Sequence, residues 1–213
     1  FRVSQERFRL LLGAGAAAGL SAGFNAPIAG VFFALEVVLG TTFTTPAISL
    51  LHLSAVFSAV ISHLFLHANP AFELPDYQLL SHWEWIFYLG LGLLASLVSL
   101  VYTQSIKLLQ AFFQGEIAGF NWLNKLPRFT YPAMGGLCVG IVAIKAPHIL
   151  GVGYGTLQVI LQGSNFPVSF LCFLLVAKLI LTAISLGSGF VGGVFAPALF
   201  LGACLGSIYG NLL

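Results

Sequence analysis

The chain has 213 residues, of which 59% are hydrophobic and only 7% charged, with a formal net charge of +2 and a mean hydropathy of +1.01. Soluble domains carry about 25% charged residues, so this composition excludes an ordinary soluble fold and points to a polytopic helical membrane protein. The small net charge gives no electrostatic footprint for nucleic acid. Cys138, Cys172 and Cys204 show neither CxxC nor Cys/His spacing and read as small hydrophobes in helix packing.

Residues 8–23 are small and apolar, and Gly15, Gly19 and Gly23 recur at i, i+4, i+8, one helix face on which another helix can approach closely. Asn25-Ala26-Pro27 breaks the run, and Pro27 suits the first turn of a new helix ending near Leu39. Such a segment rises only ~20 Å, short of a hydrocarbon core of ~30 Å, and half-length helices of this kind suggest re-entrant or broken spans. Residues 46–68 predict a full span. Residues 69–84, with Pro70, Glu73, Pro75, Asp76 and Glu84, predict a loop. A long span follows over 85–112, then a loop with an interfacial helix over 113–129. Residues 130–145 predict another span, with Gly136 and Gly140 for packing. A connector at 146–166 carries Pro147, Gly151, Gly153, Tyr154 and Gly155 and a short helix near 156–162. Two more spans, 167–186 and 194–213, flank a glycine-rich stretch. The chain begins at Phe1 without Met and stops at Leu213 inside an apolar segment, the pattern expected of an internal piece of a longer protein.

Charge placement predicts the topology. Arg2, Arg7 and Arg9 cluster at the start, Lys125 and Arg128 in the second loop, and Glu73, Asp76 and Glu84 between them. The positive-inside rule puts the basic clusters on the cytoplasmic side and the acidic loop outside. Residues 187–193 then lie toward the cytoplasm, and the helix starting at 194 climbs outward.

That stretch, Gly187-Ser188-Gly189-Phe190-Val191-Gly192-Gly193-Val194-Phe195-Ala196-Pro197, interrupts the helical run near membrane depth. Irregular backbone is tolerated there only when buried in protein or lining a polar cavity. A helix restarting after such a break aims its first N–H groups at that cavity and favours an anion. Val194 and Phe195 follow Gly192-Gly193, so no side chains crowd their amides, and Pro197 falls in the first turn, where a missing N–H costs little. The same glycines would equally allow a tight interhelical turn, and the residues alone leave both readings open.

The stretch from Gly187 through Ala196-Pro197 to Gly202-Ala203 and Gly206 resembles the GxFxP region of the CLC chloride channel and transporter family. Gly13-Ala14-Gly15-Ala16-Ala17-Ala18-Gly19-Leu20 and Phe24-Asn25-Ala26-Pro27-Ile28-Ala29-Gly30-Val31, with Leu35-Glu36, are similar to an earlier block of that family. Gly151-Val152-Gly153-Tyr154-Gly155-Thr156-Leu157 resembles a connector of its bacterial members. The three matches occur in family order. The resemblance implies an all-α polytopic membrane fold with broken, re-entrant helices and an inverted repeat. Residues 1–213 would form part of one transmembrane domain, roughly 1–112 the later part of the first repeat and 113–213 the early part of the second.

It further implies a homodimer in the lipid bilayer with one anion pathway per subunit, a bacterial-type plasma (inner) membrane location, no enzyme activity, and no cofactor, chloride or a similar small anion being the transported ion. Gly193, Val194 and Phe195 would bind the anion, supported by Gly192, Ala196 and Pro197. The family's GSGIP serine and GxEGP gating glutamate would precede Phe1, and its pore tyrosine would follow Leu213. Ser188 is not equated with that serine, because Gly187-Ser188-Gly189 lacks the following Ile-Pro.

Glu36 is an ionisable residue in an apolar segment, a functional candidate by default. Many proton-coupled exchangers of the family carry a Glu-Glu pair here, the second acting as the internal proton-transfer site. Glu36 matches the first; the second position is Val37, which carries no proton. This favours passive channel-type conduction, with proton-coupled chloride exchange as the alternative and a non-conducting membrane assembly subunit as a reading of another class. Glu36 is then expected to be structural or water-organising. Lys178, mid-segment, is expected to snorkel or pair with a carbonyl. His52, His63, His67, His82 and His148 form no convergent metal pattern, and Trp83, Trp85 and Trp122 read as interfacial anchors.

Overall fold

The computed structural model describes residues 4–40, 45–66, 72, 81, 83–116, 127, 129–163 and 166–213, with backbone only at 45, 46 and 66. All regular elements among them are helical, and the chain forms two compact units, residues 1–73 and 74–213.

In the first unit, α1 spans Gln5–Phe24. Ser4 caps its start by accepting from the Arg7 N–H, with Glu6 in the first turn, a favourable sign against the helix dipole. Asn25 ends it in the left-handed conformation (φ 51°), which asparagine tolerates better than most residues. Ala26 (φ −130°, ψ 75°), kept out of the helical region by the following proline, hands over to Pro27 at the first position of α2 (Pro27–Phe33). The helix then widens into a π-helical stretch, Ala34–Leu39, closed by Gly40 at φ 67°. The expected short helix is therefore present but changes pitch midway.

α3 spans Thr45–Leu66. Its serines form a ladder onto α1: Ser54 donates to the Ala14 carbonyl at 2.8 Å, Ser58 to Ala18 at 2.8 Å and Ser62 to Ala22 at 3.4 Å. The constant separation of 40 residues means that α1 and α3 run parallel. Small residues permit this: Ala17, Ala47, Leu51 and Ala55 are buried, with Val31 and Leu35 of the intervening helix in the same core. Gly30 packs onto α1 so closely that a Cβ there would lie 2.6 Å from the Ala17 carbonyl oxygen and against the Ser21 hydroxyl. Among the described residues nothing packs on the expected face of Gly15, Gly19 and Gly23, where a Cβ meets nothing within 4 Å, and the contact with the neighbouring helices runs through Ala14, Ala17 and Ser21. Hydroxyl–carbonyl pairing and alanine packing won over the glycine spacing.

The second unit contains α4 (Glu84–Phe113), α5 (Thr130–Lys145), a 3-10 turn (Pro147–Ile149), α6 (Tyr154–Leu161), α7 (Val168–Gly187) and α8 (Phe195–Leu212). At about 1.5 Å per residue, α4 rises ~45 Å, more than a hydrocarbon core of ~30 Å. It carries Trp83 and Trp85 exposed near its start. α7 is the central helix, touching α4, α5 and α8. Gly187 is its last residue rather than part of the break, and a Cβ there would come within 2.9 Å of the Leu109 carbonyl oxygen on α4. Among the described residues four helices, in α3, α4, α7 and α8, are long and apolar enough to cross a membrane. Most of the expected loops 69–84 and 113–129, with Glu73, Asp76, Trp122, Lys125, His82 and Arg128, and also Arg2 and His67, lie outside the described residues.

Candidate functional site

The break between α7 and α8 begins with a specific stop. Ser188 caps α7, Gly189 follows at φ 90°, its N–H bonds the Leu186 carbonyl, and the Phe190 N–H bonds Ser185. This is the Schellman pattern, in which a left-handed glycine lets two N–H groups satisfy the last carbonyls of the helix. The Ser188 side chain is buried, donates to the Ser185 carbonyl at 3.0 Å and rests against Gly135 of α5. The neighbouring Gly136 lies under the Phe190 ring, whereas Gly140, also expected to pack, opens onto space.

Beyond Gly189 the glycines serve another purpose. Gly192 and Gly193 have no left-handed φ. A Cβ at Gly192 would make only an ordinary 3.8 Å contact with Leu186, and at Gly193 it would meet nothing within 4 Å. Both line a cleft of about 640 Å³, walled by α5, the 149–152 connector, α7 and the first turn of α8. Ala196 and Pro197 also line it; Val194 and Phe195 are not among the residues that line it.

Val194 forms the N-terminal boundary of α8, without a side-chain cap, and Phe195, Ala196 and Pro197 make the first turn. An α-helix leaves the N–H groups of that turn outside its own ladder, with a partial positive charge. The Val194 carbonyl accepts from the Ala198 N–H at 3.1 Å and from the Tyr102 hydroxyl at 3.3 Å.

Among the described residues the cleft is lined by one ionisable side chain, Lys178, which is 3% exposed. Its Nζ donates to the Ile149 carbonyl at 2.9 Å and the Gly151 carbonyl at 2.8 Å, and it lies 5.2 Å from the centre of the Phe200 ring on α8. The expected pairing with a carbonyl is therefore realised twice. These bonds pin the connector to α7. The connector can follow that path because Gly151 and Gly153 take φ 60° and 80°, and a Cβ at Gly153 would come within 2.9 Å of Phe200. His148, next to this clamp, lies near the Thr156 hydroxyl and edge-on to Phe166 and Phe170.

Two residues were not anticipated as parts of the site. Tyr102 and Thr182 are polar side chains inside apolar spans, and their only signal in the sequence is that a hydroxyl in such a span needs a partner or a cavity. Glu36 and Val37 belong to the other unit, on the exposed side of the π-helical stretch, Val37 63% exposed. Of the cysteines only Cys204 is buried; Cys138 and Cys172 are exposed rather than packed.

The model of the voltage gated chloride channel family matches residues 1–213, the whole chain. The chain belongs to that family. Three relatives place it further. It is 38% identical over 227 residues to the chloride channel protein CLC-e of Arabidopsis thaliana, covering 100% of this chain and 31% of that protein. It is 38% identical over 209 residues to the putative chloride channel protein ClcB-like of Ralstonia nicotianae, covering 98% and 46%. It is 34% identical over 215 residues to the H(+)/Cl(-) exchange transporter ClcA of Salmonella agona, covering 97% and 43%. The chain thus spans less than half the length of these voltage gated chloride channel relatives. With four apolar helices of spanning length among the described residues, this family member is an integral membrane protein.

Proposed function

We propose that this chain forms one wall of an anion pathway, and that chloride or a similar small anion passes the break at 188–194. The amides of Val194 and Phe195 contact the ion, Gly193 leaves room for it, and Gly192, Ala196 and Pro197 shape the approach. One observation carries this reading: Gly193 is glycine where neither backbone angle nor packing requires it, beside the N-terminus of an apolar helix. Conduction needs an ion held by dipoles weakly enough to leave, and helix-end amides supply such dipoles.

Passive conduction is the mode we propose, because Val37 occupies the position after Glu36 and cannot relay a proton. The second reading is proton-coupled exchange, favoured by the likeness to the exchange transporter of Salmonella agona. The protein is taken to act as a homodimer in a bacterial-type inner membrane. The chain supplies the later part of one inverted repeat, roughly 1–112, and the early part of the next, and it uses no cofactor.

The test is chloride efflux from liposomes carrying the full-length protein. Flux that falls or changes selectivity in Gly193→Leu, with folding intact, is the expected result. Unchanged flux and selectivity in that variant would remove the site assignment. Proton uptake driven against its gradient by chloride would replace the channel with the exchanger, and a folded protein without any flux would leave only the assembly-subunit reading.

A further inference from the structure

The Val194 carbonyl has two lone pairs, and two donors take them. One is the Ala198 N–H at 3.1 Å, the ordinary bond of the first helical turn. The other is the Tyr102 hydroxyl at 3.3 Å, arriving from α4, 92 residues earlier in the chain. Tyr102 is 7% exposed, and its ring packs with Leu179 of α7 and Leu201 of α8, the two helices that flank the break. The hydroxyl is thus delivered by a ring wedged against both sides of the interruption.

A peptide unit is planar and trans, so the Val194 carbonyl and the Phe195 N–H belong to one rigid plate and point in opposite directions. A donor fixed on the carbonyl fixes the direction of that N–H. The first turn of a helix frays most easily, and α8 has no side-chain cap at Val194 to restrain it. Pro197, the third residue of the turn, stiffens it but donates nothing. Tyr102 therefore takes the place of a cap, acting on the carbonyl side of the peptide rather than on its N–H side.

We propose that Tyr102 is a positioning residue for the anion site: its hydroxyl locks the Val194–Phe195 peptide plane and thereby aims the Phe195 amide at the ion. This inference rests on the anion pathway proposed above. Tyr102 does not touch the ion. It sets how tightly, and with what preference among anions, the helix end holds it.

Tyr102→Phe keeps the ring in its cluster and deletes only the hydroxyl. In the purified full-length protein, chloride binding by calorimetry should weaken about 3- to 10-fold, the size of one net hydrogen bond. The flux ratio of chloride to bromide and nitrate should flatten as the helix end loosens. A lower melting temperature with unchanged affinity and flux ratios would make Tyr102 a packing residue and overturn the proposal. Ring-fluorinated tyrosine at position 102 is the complementary variant, since it keeps the ring and strengthens the O–H donor. Tighter chloride binding supports the proposal; unchanged binding overturns it, and this holds even if Tyr102→Phe does not assemble. Gly193→Leu, measured alongside, separates the two levels. If Gly193→Leu disturbs binding and Tyr102→Phe does not, only the role of Tyr102 falls. If neither does, the anion site itself is misplaced.

Discussion

Gly30, inside α2 of the first unit, and Gly193, just before α8 of the second, are both glycines in or beside a short-range break of the helical run, and they do opposite things. Gly30 is glycine because a Cβ would run into the Ala17 carbonyl and Ser21. Gly193 is glycine although a Cβ would meet nothing. Around Gly30 the chain closes space, with alanines in contact and three serines bonding across α1 and α3. Around Gly193 it keeps space open, and its polar anchoring goes to backbone carbonyls, through Lys178, Ser188 and Tyr102. A helix pair that only has to stay together uses small residues to exclude volume; on the function proposed above, a helix end that meets an ion uses them to admit it.

This contrast predicts which substitutions damage the fold and which damage only transport. The largest loss of stability is expected for Lys178→Met, which leaves the Ile149 and Gly151 carbonyls without their donor. Orphaning the buried Ile149 carbonyl costs about 1–3 kcal/mol, while Gly151 is exposed and its carbonyl adds less. Thermal denaturation of the solubilised full-length protein should show a clear drop in Tm, with faster proteolysis in 147–153, and Lys178→Arg should recover part of both. An unchanged Tm would mean that the connector is not held by this clamp.

Gly30→Ala comes next. Overpacking of this kind costs about 1–3 kcal/mol; the Ser21 hydroxyl can rotate away, but the Ala17 backbone oxygen 2.6 Å from the new Cβ cannot. Reduced yield of folded protein on size exclusion, with a lower Tm, checks it. Ser58→Ala should be milder, about 0.6 kcal/mol, the average for a hydrogen bond between membrane helices, read as a small Tm shift that adds to that of Ser54→Ala. Gly193→Leu should have the smallest effect on stability, within about 0.5 kcal/mol as for an open surface position, while reducing anion flux. A Tm loss as large as that of Gly30→Ala would erase the distinction between the two glycines.

The span positions were readable in the primary structure because apolar length is a local property. Residues 46–68, 85–112, 130–145 and 167–186 match α3, α4, α5 and α7 to within two residues at each described end. Asn25-Ala26-Pro27 and the Gly-rich break were readable for a related reason: a left-handed cap or an N-terminal proline depends on one or two residues. The helix-packing faces were not. Gly15, Gly19 and Gly23 share a face by spacing, yet α1 packs through Ala14, Ala17 and Ser21, because which face meets a neighbour depends on the serines that α3 supplies 40 residues later. The π-helical turn after Phe33 was equally invisible, since no residue in Ala34–Leu39 demands it.

Composition, apolar run lengths and a few Gly, Pro and Asn positions were enough to establish a multi-span helical membrane protein, its interrupted helices and the place of its break, since each depends on neighbours along the chain. The partners of Lys178, the hydroxyl that Tyr102 delivers to Val194, and the division of glycines into those that close space and those that leave it open arise between segments 27 to 92 residues apart. Such contacts depend on how helices meet in three dimensions, and a linear pattern carries no distance between them.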